Sequence, residues 1–450
     1  MAVADQPALA TQVVAQHTLD VTAPRWSIPK RVAFRFCFLY FGLYVVLTQM
    51  FTSLVLFTTN DSGAFEFDTT APARAIVVWL ASHVFHIGQA IVTVETGSGD
   101  RYYDWIILFC ILTLAILGTA FWSAMDRTRE SYPKLYTWFR LFMRFSLAAT
   151  MFTYGAVKVL PLQMPFPSLT RLLEPYGHFS PMGVLWASIG ASPAYEIFAG
   201  SAEMLGGLLL IFPRTTTLGA LVCLADATQI FMLNMTYDVP VKLLAFHLIL
   251  ISLFLLSFDC KRLANFFFLD RPAPSSSDRS LFRRQRANRI ALAVQILFGF
   301  WLVGANLYNS VSVYNVYGPG KPKSPLYGIW DVRDITVDGQ SRAPLLTDTT
   351  RWRRLVFDSP QYATAQNMDD SFHTYGVKID IKGKTLELSS FTDKNWKANF
   401  SFAEPTPSQL VLDGTMDGKK VHAQLELLDR SKLLIVSRGF HFISEHPFNR

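Results

Sequence analysis

One stripe of one apolar segment restricts this chain more than anything else in it. Between Phe142 and Phe258 runs Ala199-Gly-Ser-Ala-Glu-Met-Leu-Gly-Gly-Leu-Leu-Leu-Ile-Phe212. Written on a helix, Glu196, Gly200, Glu203 and Gly207 fall at i, i+4, i+7 and i+11, so two carboxylates and two glycines share a face. Such a face cannot meet lipid. Glycines at this spacing, with Gly206 beside them, let a neighbouring helix come close, and a carboxylate inside a membrane turns toward a bundle interior and a partner. The stripe predicts an α-helical polytopic membrane bundle with a polar interior.

Composition agrees. Of 450 residues, 51% are hydrophobic, and they gather in runs of about 20, the length that crosses a bilayer. A formal charge of +7 would point a soluble chain toward nucleic acid. Here Lys and Arg collect in particular loops, as the positive-inside bias requires, and no nucleic-acid partner is expected. Cys37, Cys110, Cys223 and Cys260 lie far apart without CxxC spacing, which excludes a disulfide framework or a metal knuckle. His83-x-x-His86 could present two imidazoles on one face, but no third ligand accompanies them, and no metal is expected. There is no P-loop, dinucleotide fingerprint or HExxH.

Charge order sets the expected topology. Residues 1–30 lack the arrangement of a signal peptide and read as a cytoplasmic leader. Residues 31–140 form an N-terminal membrane segment; Lys30, Arg31 and Arg35 precede its first span at about 36–57, and acidic Asp61, Glu66 and Asp68 follow it. At 75–94, His83, His86 and Gln89 interrupt the apolar run. Were it a span, the basic loop Asp126 to Lys134 would lie outside, so it reads as a re-entrant or interfacial helix. Spans at about 104–124, 141–160, 194–212, 215–235 and 239–257 follow, with a Pro-rich outer loop at 161–192 holding a helical turn near Met182–Ile189. Asp238 is the expected N-cap of the 239–257 span, with Pro240 in its first turn. The basic linker 259–289 marks the cytoplasmic side, and a last helix at 290–310 delivers the C-terminal region outside. That makes seven spans. Eight, which would bring the tail indoors, is the alternative.

From about 325 to 450 the pattern changes to alternation. Tyr375 to Ile381, a Lys-Gly-Lys turn and Thr385 to Ser389 read as a hairpin; Leu410 to Asp413, the Asp417-Gly418 turn and Val421 to Leu427 read as a second. Ser431 to Arg438 reads as a closing strand. Seven or eight short strands in this length predict a small antiparallel β-barrel-like domain, because closure removes exposed edges. Gly328-Ile-Trp330 with a late Arg438 resembles the lipocalin pattern. In that fold the tryptophan and the arginine pack together to close the barrel base.

Polar and ionisable groups recur at similar depth in four consecutive helices of the 141–258 module: Tyr154 and Lys158, then Glu196 and Glu203, then Asp226, Gln229 and Asn234, then Lys242 and His247. Buried charges need partners, and Lys158–Glu196 and Asp238–Lys242 are the expected pairs. Structural glue with lysines snorkelling at helix ends is one reading of these groups. A polar pocket open to the outer face is the other. No spacing is a catalytic signature.

Arg144, Tyr154-Gly155, Lys158, the Ala199 to Gly207 run, the Pro213-Arg-Thr-Thr-Thr-Leu-Gly-Ala220 turn and the Tyr237-Asp-Val-Pro-Val-Lys242 entry together resemble the DoxX family. The resemblance covers about 142–258 and implies a four-helix membrane module, redox-associated and quinone-linked, in a bacterial inner membrane. Members of that family are linked to thiosulfate:quinone oxidation and to oxidative-stress complexes. Quinone is the cofactor so implied, and membrane lipids, a redox partner protein and a second copy of the chain are the implied partners. The chain departs from the family by its additional spans, long outer loop and β-domain. Two alternatives therefore stand beside a quinone-binding component: a non-catalytic scaffold whose β-domain binds a lipid-like ligand or a protein, and a proton-coupled transporter.

Overall fold

The computed structural model describes residues 25–55, 70–273 and 280–449. The expected leader, apart from its last residues, and the loop with Asp61, Glu66 and Asp68 lie outside the described residues, as does Arg279 of the basic linker. The chain forms two compact units. Unit 1 comprises 1–153, 203–232 and 240–304; unit 2 comprises 154–202, 233–239 and 305–450.

Helices occupy every expected span: α1 (Ile28–Leu47) continued by α2 (Gln49–Val55), α4 (Tyr102–Met125), α5 (Pro133–Val159), α7 (Pro193–Ile211), α8 (Thr216–Thr236), α9 (Lys242–Ser257) continued by α10 (Cys260–Phe267), and α11 (Gln285–Tyr314). By length and composition α4, α7, α8 and α11 can cross a membrane, which makes four, or six when each bent pair counts as one span. The seventh expected span, α5, falls outside that set and carries Arg140, Arg144 and Lys158. It is buried on all sides from Met143 to Phe152, as a central helix must be.

Both bends have local causes. At the 75° bend between α1 and α2, Thr48 is extended and its hydroxyl donates back to the Tyr44 carbonyl, interrupting the ladder. At the 85° bend after α9, buried Asp259 accepts from Arg140 at 3.3 Å, Arg262 at 2.9 Å and the Thr217 hydroxyl at 2.6 Å. The linker from 259 onward thus begins as an anchored helix. The segment expected to be re-entrant or interfacial contains α3 (Ala71–His83), whose 13 residues rise about 20 Å against the ~30 Å of a hydrocarbon core. Val77 and Ala81 of α3 pack on Tyr103 and Ile106 of α4, and left-handed His86 ends the turn that follows.

In unit 2 the 161–192 segment carries α6 (Pro181–Gly190), capped by the Ser180 hydroxyl, which accepts the Gly183 N–H at 3.1 Å. Nine strands follow: β1 (Gly328–Val337), β2 (Gln340–Ser341), β3 (Trp352–Phe357), β4 (Tyr362–Asn367), β5 (Phe372–Asp380), β6 (Thr385–Ser390), β7 (Lys397–Thr406), β8 (Gln409–Met416) and β9 (Lys419–Leu427). Two-residue β2 folds back on β1; the other eight form an antiparallel barrel closed by β1 on β9, with Trp330 opposite Leu427. Asp417 and Gly418 both have positive φ, the geometry that a tight β8–β9 hairpin needs. Alternate residues point inward, and Trp330, Trp352, Phe357, Phe400, Phe402 and the aliphatic residues between them fill the barrel.

Two expectations about the barrel are corrected. Ser431 to Arg438 is no strand: it forms a 3-10 turn and a short helix, α12 (Leu434–Ser437), because β9 already pairs with β1 and leaves no edge. Arg438 does not close the base over Trp330. It lies half-buried beyond the barrel against His441 and Phe448, and the Trp330 indole donates to the Leu326 carbonyl at 2.9 Å. The buried arginine is Arg351, which donates to the carbonyls of Arg342 and Trp352 at 2.9 and 3.1 Å.

Candidate functional site

The stripe read from the sequence is buried along its whole length: Glu196, Gly200, Glu203, Gly206 and Gly207 all lie inside. In unit 2, a Cβ on Gly200 would meet Lys158 Cβ at 2.6 Å, Val159 N at 2.7 Å and Gly155 O at 2.8 Å, so α7 runs against the backbone of α5. This contact sets Tyr154, Lys158 and Glu196 together. Lys158 is 7% exposed and lies 5.9 Å from the Tyr154 ring centre. Glu196 is 0% exposed; one carboxylate oxygen accepts the Met164 N–H at 2.8 Å, the backbone of Gln163 also acts on the carboxylate, and Lys158 acts on it by charge. The expected Lys158–Glu196 interaction is thus electrostatic, with the hydrogen bond coming from the backbone of the 161–192 segment. The second oxygen of Glu196, Oε2, is buried without a hydrogen-bond partner among the described residues. Asn234 is also buried in this unit, and its carbonyl accepts the Val239 N–H at 3.0 Å.

Unit 1 holds the other half of the stripe. Glu203 is 1% exposed, and both it and half-buried Asp226 on α8 act on the thiol of Cys223, which a Gly206 Cβ would meet at 2.8 Å. Gly207 receives the Phe152 ring in the same way, at 2.5 Å. Gln229 does not belong to this interior. Three residues beyond Asp226, it falls on the exposed side of α8.

The expected cap of α9 changes. Lys242 is held by Asp100, 3.6 Å away, and it is Asp100 that caps α9, accepting the N–H groups of Lys242 and Leu243 at 2.8 and 2.9 Å. Asp238, read as the cap, has a φ of 52°, outside the extended geometry a capping residue adopts. His247 is 1% exposed and enclosed by α1: its ring stacks 3.6 Å from that of Tyr44, and Tyr40 Oη lies 2.8 Å from Nε2. Nδ1 faces the Leu243 carbonyl at 2.7 Å. A carbonyl only accepts, so Nδ1 carries the proton and Nε2 accepts from the Tyr40 hydroxyl. Asp100, Tyr40 and Tyr44 escaped sequence reasoning, because each acts across more than 140 residues on α9.

Unit 1 also contains a cavity of about 500 Å3 lined by Lys30, Arg140 and Arg144 with Trp26, Tyr136 and Phe258. Arg144 is buried there and donates to the Gln295 side chain. Among the described residues no group of three His, Cys, Asp or Glu side chains could hold a metal. His83 is engaged within its own helix, stacked on Trp79 and bonded to Ser82.

No family model matches the chain, and no solved structure matches it. An uncharacterised protein of Bacillus subtilis (strain 168), YwoB, is 33% identical over 139 residues, which are 31% of this chain and 84% of that protein. The match covers most of the smaller protein, and the chain therefore belongs to the family of YwoB.

Proposed function

We propose that this membrane protein is a quinone-linked component of a redox system in a bacterial inner membrane, with the barrel on the extracytoplasmic side. Glu196 carries the reading. A wholly buried carboxylate in an apolar helix, with one oxygen held by a backbone N–H and the other without a hydrogen-bond partner, is an acceptor waiting for a donor. The ring hydroxyl of a reduced quinone supplies such a donor to Oε2 of Glu196, which can take its proton, and the charge of Lys158 offsets part of the cost of burying the carboxylate. Bound quinone brings the two-electron chemistry; the chain brings position, exclusion of water and a proton acceptor. The resemblance of 142–258 to DoxX supports the same reading.

The test is purification in mild detergent, organic extraction and mass spectrometry of what remains bound. Wild-type protein should retain quinone near one equivalent, and Glu196→Gln should retain several-fold less while unfolding at a similar temperature. Recovery of phospholipid alone from the wild type overturns the reading.

A further inference from the structure

Unit 2 encloses a cavity of its own, about 570 Å3 in volume. Its walls come from 165–171 and 180–187, from the stretch 317–327 that leads out of α11 into the barrel, and from Asp358 and Arg430 just past the ends of β3 and β9. Four lining side chains are cations, Arg171, Lys321, Lys323 and Arg430, against the single carboxylate of Asp358.

Two of these charges are compensated. Arg171 is paired with Glu174, and Lys321 stands 3.4 Å from Asp358. The other two converge on one phenol. Lys323 Nζ lies 4.7 Å from the centre of the Tyr327 ring, and Arg430 Nη1 donates to the Tyr327 oxygen at 3.2 Å. Arg430 Nε is buried and has no hydrogen-bond partner among the described residues. Two like charges held together around a buried, unsatisfied donor call for an anion. Because its oxygen accepts from Arg430, the Tyr327 O–H is left to donate, and burial pushes that hydroxyl above the usual phenol range so that it keeps its proton. The first turn of α6 adds a further positive feature: the Arg171 guanidinium rests against Gly183, beside the N-terminal end of the helix dipole.

We propose that this cavity binds a phosphate ester through Arg430, Lys323 and Tyr327. Donors approach from separate directions, and the oxygens of a tetrahedral phosphoryl group are disposed out of one plane to meet them, where the two of a carboxylate lie in one plane. The volume suits a head group of that size. The lining stretch 317–323 begins three residues after α11, a helix able to cross the membrane, so a phospholipid can present the phosphate; a soluble phosphate monoester has the same chemistry. The proposal is independent of whether the bundle holds quinone.

The experiment uses the full chain in mild detergent, with native mass spectrometry against phosphatidylglycerol and phosphatidylcholine, and thermal unfolding with and without millimolar glycerol phosphate. Wild type should retain phosphatidylglycerol over phosphatidylcholine, and Lys323→Gln with Arg430→Gln should cut that retention about tenfold, the loss of charge-assisted bonds. Stabilisation by glycerol phosphate that vanishes in the double variant, without lipid preference, also supports the site and assigns it a soluble ligand. Exposed Lys323→Gln alone, which leaves the barrel intact, should weaken either signal several-fold should the double variant not fold. Asp358→Asn should raise it. Folded variants that hold both probes as well as wild type overturn the proposal.

Discussion

Asp100 caps a helix that begins 142 residues after it: its carboxylate accepts the Lys242 and Leu243 N–H groups at 2.8 and 2.9 Å, and the Lys242 ammonium stands 3.6 Å from it. The first turn of α9 thus depends on the loop that precedes α4. Asp100→Ala frees both donors and should cost about 1–2 kcal/mol, read as a lower unfolding temperature in detergent. Asp100→Asn, which can still accept, should recover much of the loss. Identical melting of Asp100→Ala and wild type would dismiss the cap.

The close approach at Gly200 makes a paired prediction. Gly200→Ala sets a methyl 2.6 Å from Lys158 Cβ and 2.7 Å from the Val159 nitrogen, where the backbone cannot yield, and should cost about 1–3 kcal/mol. Gly304→Ala in α11 meets nothing within 4 Å and should stabilise by about 0.5–1 kcal/mol. Thermal unfolding of the two variants side by side decides it; a shift of the same sign in both refutes the packing argument.

For His247, nitrogen-15 NMR of labelled protein should show one pyridine-type resonance at Nε2 and one protonated Nδ1. Tyr40→Phe removes the donor to Nε2 and leaves a buried acceptor bare, which should cost about 1–3 kcal/mol. A Tyr40→Phe protein as stable as wild type would show that water replaces the hydroxyl.

Acid should loosen the barrel. Burial pushes the Asp348 carboxyl up, but hydrogen bonds from Thr350 and Arg351 and the charge of Arg342 outweigh it, and the group rests below the usual carboxylate range. A folded value below the unfolded one means that the stabilisation is complete above the ordinary aspartate pKa of about 4 and drains away as the pH falls through the folded value. Thermal melts of the full chain between about pH 2 and pH 7 should show that fall, and Asp348→Asn should flatten it. An unchanged acid limb in Asp348→Asn would place the loss elsewhere.

The buried stripe from Glu196 to Gly207 was legible because it is local: a 3.6-residue period and a carboxylate's aversion to lipid suffice. The barrel was legible for a similar reason, since alternation and the Asp417-Gly418 turn are read within a few residues. What failed needed distance. Asp238 stands where a local rule looks for a cap, but Asp100 arrives from another loop and does the capping. Gln229 shares a depth with Asp226 yet faces outward, and depth alone carries no azimuth. Leu433-Leu-Ile-Val436 has the composition of a strand, but strand propensity is realised only against a free edge, and β9 had already taken the one on β1. Arg351, the buried guanidinium of the barrel, has no motif to announce it.

Ile329 and Val356 lie on the outer surface of the barrel, where water would be expected, and Leu169 of the 161–192 segment covers both, with Leu172 and Leu173 alongside. A barrel excised at its own boundaries would carry that apolar spot bare and would stick to its copies through it. Producing the domain alone as a soluble reagent therefore requires polar residues at Ile329 and Val356, or the 161–192 segment supplied with it.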